Sequence, residues 1–446
     1  MNAKLRAADL QGARFRPRGC ESALVLGYGR SGKAAEALLC RLGFSVTVLD
    51  GEAVFPEKRV DFAVVSPGIA LTHPWAVEAK RRGIPLKSEL QLGCEELKRQ
   101  GWRLLAVTGS KGKSSVVKVV ADAINLAGMK AIACGNYGIP VCEVANNRAI
   151  ERSEQPGQSN DSPWAVVEVS SFMMETTDLP PDAFEAATIL NLQEDHLDRH
   201  GSVDVYHGLK RKLLTMAKAG RCGGETPPPH EKTFARGGAV SVAPFEANGG
   251  AAPWAGSYFD NEILAGNAAM AVELMRVAGL DGAAIAKAFR EFEPLPHRMN
   301  LVAETDGVCY IDDSKATSLA ALVAGVEMAS SGNRTIGRSN NRAVRLIAGG
   351  LPKGDDPETA LSALTERVKK VYLIGQSAEA FFAAWKGAVD CEICSTMDRA
   401  VNAAKREAEK GETVLLSPGT ASFDQFQSYG ERGDVFARLV KKRRTT

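Results

Sequence analysis

At 446 residues the chain exceeds what one hydrophobic core usually supports, so length alone predicts about three domains. A net charge of +2 from interspersed acids and bases argues against nucleic-acid and membrane partners, while leaving room for a small polyanionic substrate. Nine irregularly spaced cysteines predict reduced thiols, and the N-terminal MNAKLRAADLQGARFRPRGC lacks a signal-like or membrane-spanning apolar run, so a cytoplasmic protein is expected.

The first block alternates strand-like and helix-like segments through SALVLGYGRSG, FSVTVLD and DFAVVSPGI, closing near Gly101. Gly27, Gly29 and Gly32 form a G-x-G-x-x-G turn after a strand, and Asp50 follows the next strand at about the ~20-residue offset of a dinucleotide fold. Taken literally the turn suggests NAD; beside a separate ATP loop it can serve another nucleotide's phosphates or ribose. The turn Ser66-Pro67-Gly68-Ile69-Ala70 ends a third strand, where open α/β sheets place ligands, and equally fits a plain Pro-Gly turn.

The second block opens with LLAVTGSKGKSSVVKVVADAI, a glycine loop between an apolar strand and a helix. Across Gly109, Ser110, Lys111, Gly112, Lys113, Ser114 and Ser115, backbone N–H groups and a helix N-terminus can face phosphate oxygens. Lys113 then supplies a point charge and Ser114 a hydroxyl for magnesium. Val107 stands where the first glycine of G-x-x-x-x-G-K-[ST] falls. Glu168 interrupts the apolar strand WAVVEVS near its carboxyl end, where burial demands a metal or a lysine partner. The cluster NLQEDHLDRH adds Asn191, Glu194, Asp195, His196, Asp198 and His200 at another strand end, and that density favours metal. His196 suits a second divalent ion or a substrate phosphate, Asp195 and Asp198 suit loop geometry, and His200 reads as a solvated surface histidine. In the helix VYHGLKRKLLTMAK, Lys210, Arg211 and Lys212 read by themselves as a basic solvated face. Between Ala219 and Trp254 weak periodicity with Gly, Pro and Ala reads as loop or irregular strand.

The third block follows the Pro-rich EFEPLPHRMN and alternates VCYID, VRLIAGG, KVYLIG and TVLLSP with helices such as PETALSALTERV. Cys391 and Cys394 form a lone C-x-x-C in a strand, reading as a buried, inert pair. The expected fold class is α/β in three domains: residues 1–103 Rossmann-like, 104–297 a P-loop ATPase-like mononucleotide-binding domain, and 298–446 Rossmann-like again.

Taken in order, AVTGSKGKSS, VEVSSFMMET, NLQEDHLDRH, YHGLK, LPHRMN, IDDSKATS, GGLPKGDD and LLSPGTASFDQF resemble the Mur ligases that build the peptidoglycan stem peptide. The match runs from Gly27 to about Phe436. Within the family, SPGIA, DSKATS and LLSP-x-x-AS-x-DQF are similar to the members that add D-glutamate to UDP-N-acetylmuramoyl-L-alanine. The resemblance implies an ATP-dependent amide ligase whose three domains hold the UDP end of the substrate, ATP, and D-glutamate with ATP. It gives Gly29, Arg30, Ser31, Asp50, Ser66, Gly68 and Asn136 to the UDP-sugar. The phosphate loop, Asn267, Arg298 and Asp313 go to ATP, and Lys315 to the reaction centre. Ser114, Glu168, His196 and a carbamylated Lys210 fall to two magnesium ions; Thr317, Lys353, Ser422 and Tyr429 fall to D-glutamate. A monomer is expected. Three positions depart from the family pattern: Lys111 replaces a common asparagine, Ile263 and Leu264 stand where a His-Asn pair usually precedes Asn267, and Tyr429 replaces phenylalanine.

Overall fold

The computed structural model describes residues 22–147, 162–192, 196–222, 240–241, 252–260, 262–330 and 344–442. Glu194, Asp195 and Pro227–Pro229 lie outside these residues, as do the side chains of Asp198 and Ile263.

Each block of the sequence contributes one sheet. The first holds β1 (Ser22–Leu26), β2 (Ser45–Leu49), β3 (Phe62–Val65) and β4 (Leu86–Ser88), parallel in the order β2-β1-β3-β4. The second holds β5 (Arg103–Thr108), β6 (Ala131–Gly135), β7 (Trp164–Glu168), β8 (Phe184–Ile189), β9 (Ala217–Cys222) and β10 (Val240–Ser241), parallel in the order β10-β9-β8-β5-β7-β6. The third holds β11 (Asn300–Thr305), β12 (Val308–Asp312), β13 (Val344–Gly349), β14 (Val368–Ile374), β15 (Asp390–Ser395) and β16 (Thr413–Leu416), in the order β11-β12-β16-β13-β14-β15. Only its edge strand β11 runs antiparallel to its neighbour.

Strands such as β5 and β7 are buried along almost their whole length, which explains why they read as continuous apolar runs without alternation: helices cover both faces of a parallel sheet. The chain divides into two compact units, Met1–Pro244 with Met270–Leu280, and Phe245–Ala269 with Asp281–Thr446. The first two sheets share the first unit and one core, in which Val25 and Leu38 join Leu104, Ala106, Val141 and Val167. In the second unit Tyr310, Ile347, Tyr372 and Phe436 anchor the third sheet's core. Cys391 and Cys394 lie in β15, where burial pushes their thiols up to about 11 and about 12, so both stay protonated and unreactive near neutral pH. Among the described residues no helix is long and apolar enough to cross a membrane.

Candidate functional site

The chemistry-bearing residues gather at the carboxyl ends of the strands, where parallel sheets leave a rim of loops. β5 runs into a turn that only glycine makes without strain, with φ +151° at Gly109 and +80° at Gly112. The helix Lys113–Leu126 starts on Gly112 with no capping side-chain hydrogen bond and no acid in its first turn, an N-terminus whose dipole favours an anion. Lys113 folds back over the loop, its Nζ donating to the Gly109 carbonyl at 2.8 Å and the Ser110 carbonyl at 3.1 Å. Asn191, at the end of β8, clamps the loop. Its Oδ1 accepts from Lys111 N at 2.8 Å, its Nδ2 donates to Lys111 O at 3.0 Å, and its carbonyl accepts from Ser110 N at 3.0 Å. The metal-ligand reading of Asn191 is thereby corrected, because both side-chain atoms are turned onto the loop backbone. Ser115 is buried, and Ser114 and Lys111 are half-buried.

Lys210 is not part of a solvated face. It is almost fully buried, donates to the Gly109 carbonyl at 3.0 Å and sits 4.4 Å from the centre of the Tyr206 ring. The helix Val203–Lys212 turns that side chain onto the phosphate loop and leaves Arg211 exposed. Glu168 is equally buried and among the described residues has no lysine partner: Asn136 Nδ2 donates to its Oε1 at 2.7 Å, and its Oε2 is buried with no hydrogen-bond partner there. An orphaned carboxylate oxygen is costly away from water, and a divalent cation would satisfy it. Among the described residues no three His, Cys, Asp or Glu side chains converge as a metal cage. A magnesium ion here would therefore draw on Glu168, the Ser114 hydroxyl and phosphate or water oxygens, a donor set this hard cation accepts.

His196 is exposed with φ +53°, its ring 4.8 Å from that of Phe172. His200 overturns its surface reading. It is buried, its Nε2 lies 3.0 Å from Ser171 Oγ and its Nδ1 3.4 Å from Glu175 Oε1, and its ring stacks on Tyr206 at 5.5 Å. Burial holds its pKa below the ordinary value, keeping the ring neutral at neutral pH.

In the first sheet, Gly27 has φ +86°, and a Cβ on Gly32 would stand 2.0 Å from the Gly27 carbonyl oxygen, so the glycine turn is sterically obligatory. Ser66 Oγ donates to that same carbonyl at 2.7 Å, joining the Gly27–Gly32 and Ser66–Ala70 turns. Asp50 accepts from Tyr28 N at 3.4 Å, and Arg30 Nη1 donates to the Gly138 carbonyl of the second sheet's GNYGIP loop at 2.6 Å. Gly29 and Gly68 are exposed and Ser31 is half-buried.

In the second unit the segment after the Pro-rich stretch is backbone-strained, with φ +60° at His297 and +50° at Met299. His297 Nδ1 lies 2.7 Å from Asp312 Oδ2, a pair the sequence reading passed over although LPHRMN and IDDSK flag both residues. Asp313 accepts from Ser417 Oγ at 3.0 Å, and burial pushes its carboxyl up to about 7. Lys315 Nζ stands 3.9 Å from the Tyr429 ring centre. Fully buried Arg432 donates to the carbonyls of Ser314, Thr420 and Ala421, which sets the DSK loop beside Ser422 and the start of the Tyr429 helix. Thr317 and Arg298 are half-buried and Lys353 is exposed, while Asn267 and Leu264 are buried on the helix Glu262–Val277.

The Mur ligase middle domain matches residues 107–223, and the Mur ligase glutamate ligase domain matches residues 297–419. A UDP-N-acetylmuramoylalanine--D-glutamate ligase of Acidobacterium capsulatum is 32% identical, the alignment covering 94% of this chain and 95% of the relative. The chain belongs to the Mur ligase family. A second relative of that name, from Chlamydia caviae, is 32% identical over 94% of this chain and 97% of its own length. Two solved Mur ligases share the fold at low identity. MurF from Acinetobacter baumannii has a TM-score of 0.56 at 14% identity, covering 95% of this chain and 92% of its own. MurF ligase from Thermotoga maritima in complex with ADP has a TM-score of 0.55 at 13% identity, covering 95% of each chain. The middle-domain match spans the phosphate loop, Asn136, Glu168, His196 and Lys210, and the glutamate ligase match spans Arg298, Asp313, Lys315, Thr317 and Lys353. Ser422 and Tyr429 lie beyond both.

Proposed function

We propose that this Mur ligase joins D-glutamate to UDP-N-acetylmuramoyl-L-alanine at the expense of ATP, in cytoplasmic peptidoglycan precursor synthesis. The observation that carries the reading is the rim of the second sheet, where an uncapped helix N-terminus, Lys113 and a carboxylate with an orphaned oxygen surround one glycine loop. Residues 1–103 hold the UDP end through the Gly29–Ser31 turn, Asp50, Ser66 and Gly68, with Asn136 contributing from the next domain. Residues 104–297 hold ATP, and 298–446 supply Arg298 and Asp313 to the nucleotide, Lys315 to the reacting centre, and Thr317, Lys353, Ser422 and Tyr429 to D-glutamate.

The first step brings two anions together: a carboxylate oxygen of the substrate's L-alanine attacks the γ-phosphorus, the bond to ADP breaks, and an acyl phosphate forms. Loop N–H groups and Lys113, released from the Gly109 and Ser110 carbonyls, offset the repulsion. Ser114 and Glu168, with His196 as a further ligand in this reading, would hold magnesium, which would supply charge neutralisation at the phosphates. In this reading Lys210 carries a carbamate, which converts a cation into an anion able to help hold a second ion. The uncharged amine of D-glutamate then attacks the acyl carbon, and the tetrahedral intermediate gives up the nitrogen's extra proton to solvent, expels phosphate and leaves the amide. Lys353 pairs with a glutamate carboxylate. The enzyme acts as a monomer. The test is an amino-acid panel with UDP-N-acetylmuramoyl-L-alanine and ATP, followed by ADP release. D-glutamate alone should support turnover; equal turnover with other amino acids, or none, would reject the assignment.

A further inference from the structure

Arg199 binds two layers of the first unit at once. Its Nε and Nη2 form a two-point pair with the Glu175 carboxylate at 3.0 and 2.8 Å. The same Nη2 donates to the Ile69 carbonyl at 2.9 Å and lies 3.4 Å from that of Pro67, so the guanidinium grips the Ser66–Ala70 turn from 130 residues away. The plane packs against the Phe172 ring at 5.1 Å, and only 16% of the side chain is exposed. From Glu175 the contacts continue without a break to the phosphate loop: carboxylate to His200, His200 ring to Tyr206 ring, and Tyr206 Oη to Ser110 Oγ at 3.2 Å.

We propose that Arg199 is a positioning residue, holding the Ser66–Ala70 turn, and with it the acceptor substrate, in register with the phosphate loop. The inference rests on the reading of that turn as part of the acceptor site. A planar fork fixed at two carboxylate oxygens and a carbonyl sets an orientation, which a lysine ammonium at the same place cannot do. Orientation is what the first chemical step needs, since a displacement of about 1 Å between reacting groups can cost about a hundredfold in rate.

The test compares Arg199→Lys and Arg199→Ala with the parent enzyme, reading acceptor KM and kcat, acceptor affinity by calorimetry, affinity for a non-hydrolysable ATP analogue, and melting temperature. Acceptor KM should rise about tenfold or more and kcat should fall, with analogue affinity held within about twofold. The lysine variant should regain melting temperature while staying nearly as inactive as the alanine variant. Activity that returns in step with melting temperature, or a parent-like acceptor KM in the lysine variant, overturns the proposal. Should the alanine variant fail to fold, Glu175→Gln replaces it, because it loosens the fork and leaves Arg199 in place. A parent that binds the acceptor without turnover in the presence of D-glutamate rejects the proposed function alone, and acceptor affinities still decide the role of Arg199; a parent that does not bind the acceptor rejects both.

Discussion

Replacing Asn191 with alanine should loosen the phosphate loop without unfolding the second sheet. The substitution removes the bonds to Lys111 N and Lys111 O and keeps the backbone bond from Ser110 N. Two neutral hydrogen bonds, at about 0.5–1.5 kcal/mol each, set the cost at about 1–3 kcal/mol. Expressed wholly as loop order that a nucleotide must restore, this weakens ATP binding by about 5- to 150-fold. Lys111 is only half-buried, so water reaches the freed groups and the lower half of that range is expected. Asn191→Asp separates geometry from charge: it keeps the acceptor for Lys111 N, loses the donor, and sets an anion beside the triphosphate. The aspartate variant should bind a non-hydrolysable ATP analogue more weakly than the alanine variant, while its melting temperature without nucleotide is no lower. Calorimetric titration and thermal denaturation read both quantities. Affinities within about twofold of the parent for both variants, or tighter binding by the aspartate form, would refute the clamp.

Lys113→Ala should cut ADP formation by about a hundredfold or more, because it removes the cation that lies over the phosphate loop; near-parent turnover would contradict its role. Glu168→Gln keeps a carbonyl for Asn136 and replaces the orphaned oxygen by an amide, so the magnesium concentration for half-maximal activity should rise about tenfold or more, and an unchanged midpoint speaks against a metal ligand there. Asp313 carries a sign-specific pH effect. Between its ordinary 3.8 and its folded value of about 7 the native carboxyl holds a proton that the unfolded chain has released, so its contribution to stability declines as pH rises through that window. Denaturant unfolding of Asp313→Asn against the parent should therefore show an advantage that grows from about pH 4 to about pH 7 and then levels off; a pH-independent difference would remove burial as the cause. Exhaustive exchange into carbonate-free buffer at low pH should slow the enzyme reversibly, and Lys210→Ala should be rescued in part by short-chain acids, whereas full activity without carbonate would exclude the carbamate.

What could be read in the sequence was local. The phosphate loop, the glycine turn of the first sheet and the lone acid of β7 announce themselves because glycine spacing and a charge within an apolar strand have few alternative explanations. The burial of Lys210 and His200 was not legible. On an isolated helix both would face water, and what buries them is a loop carbonyl 101 residues away and a serine 29 residues away. Asn191 showed its position but not its use, since an amide at a strand end ligates or clamps according to where the neighbouring loop falls. The His297–Asp312 pair depends on positive φ at His297, which no side-chain pattern encodes.

The central claim is that a substrate carboxylate becomes a mixed anhydride with phosphate at the rim of the second sheet. Acceptor labelled with heavy oxygen in its alanine carboxylate, turned over with ATP and D-glutamate, tests it directly by mass spectrometry of the released phosphate. One labelled oxygen should appear in each phosphate formed. Unlabelled phosphate alongside accumulating amide product would contradict the account.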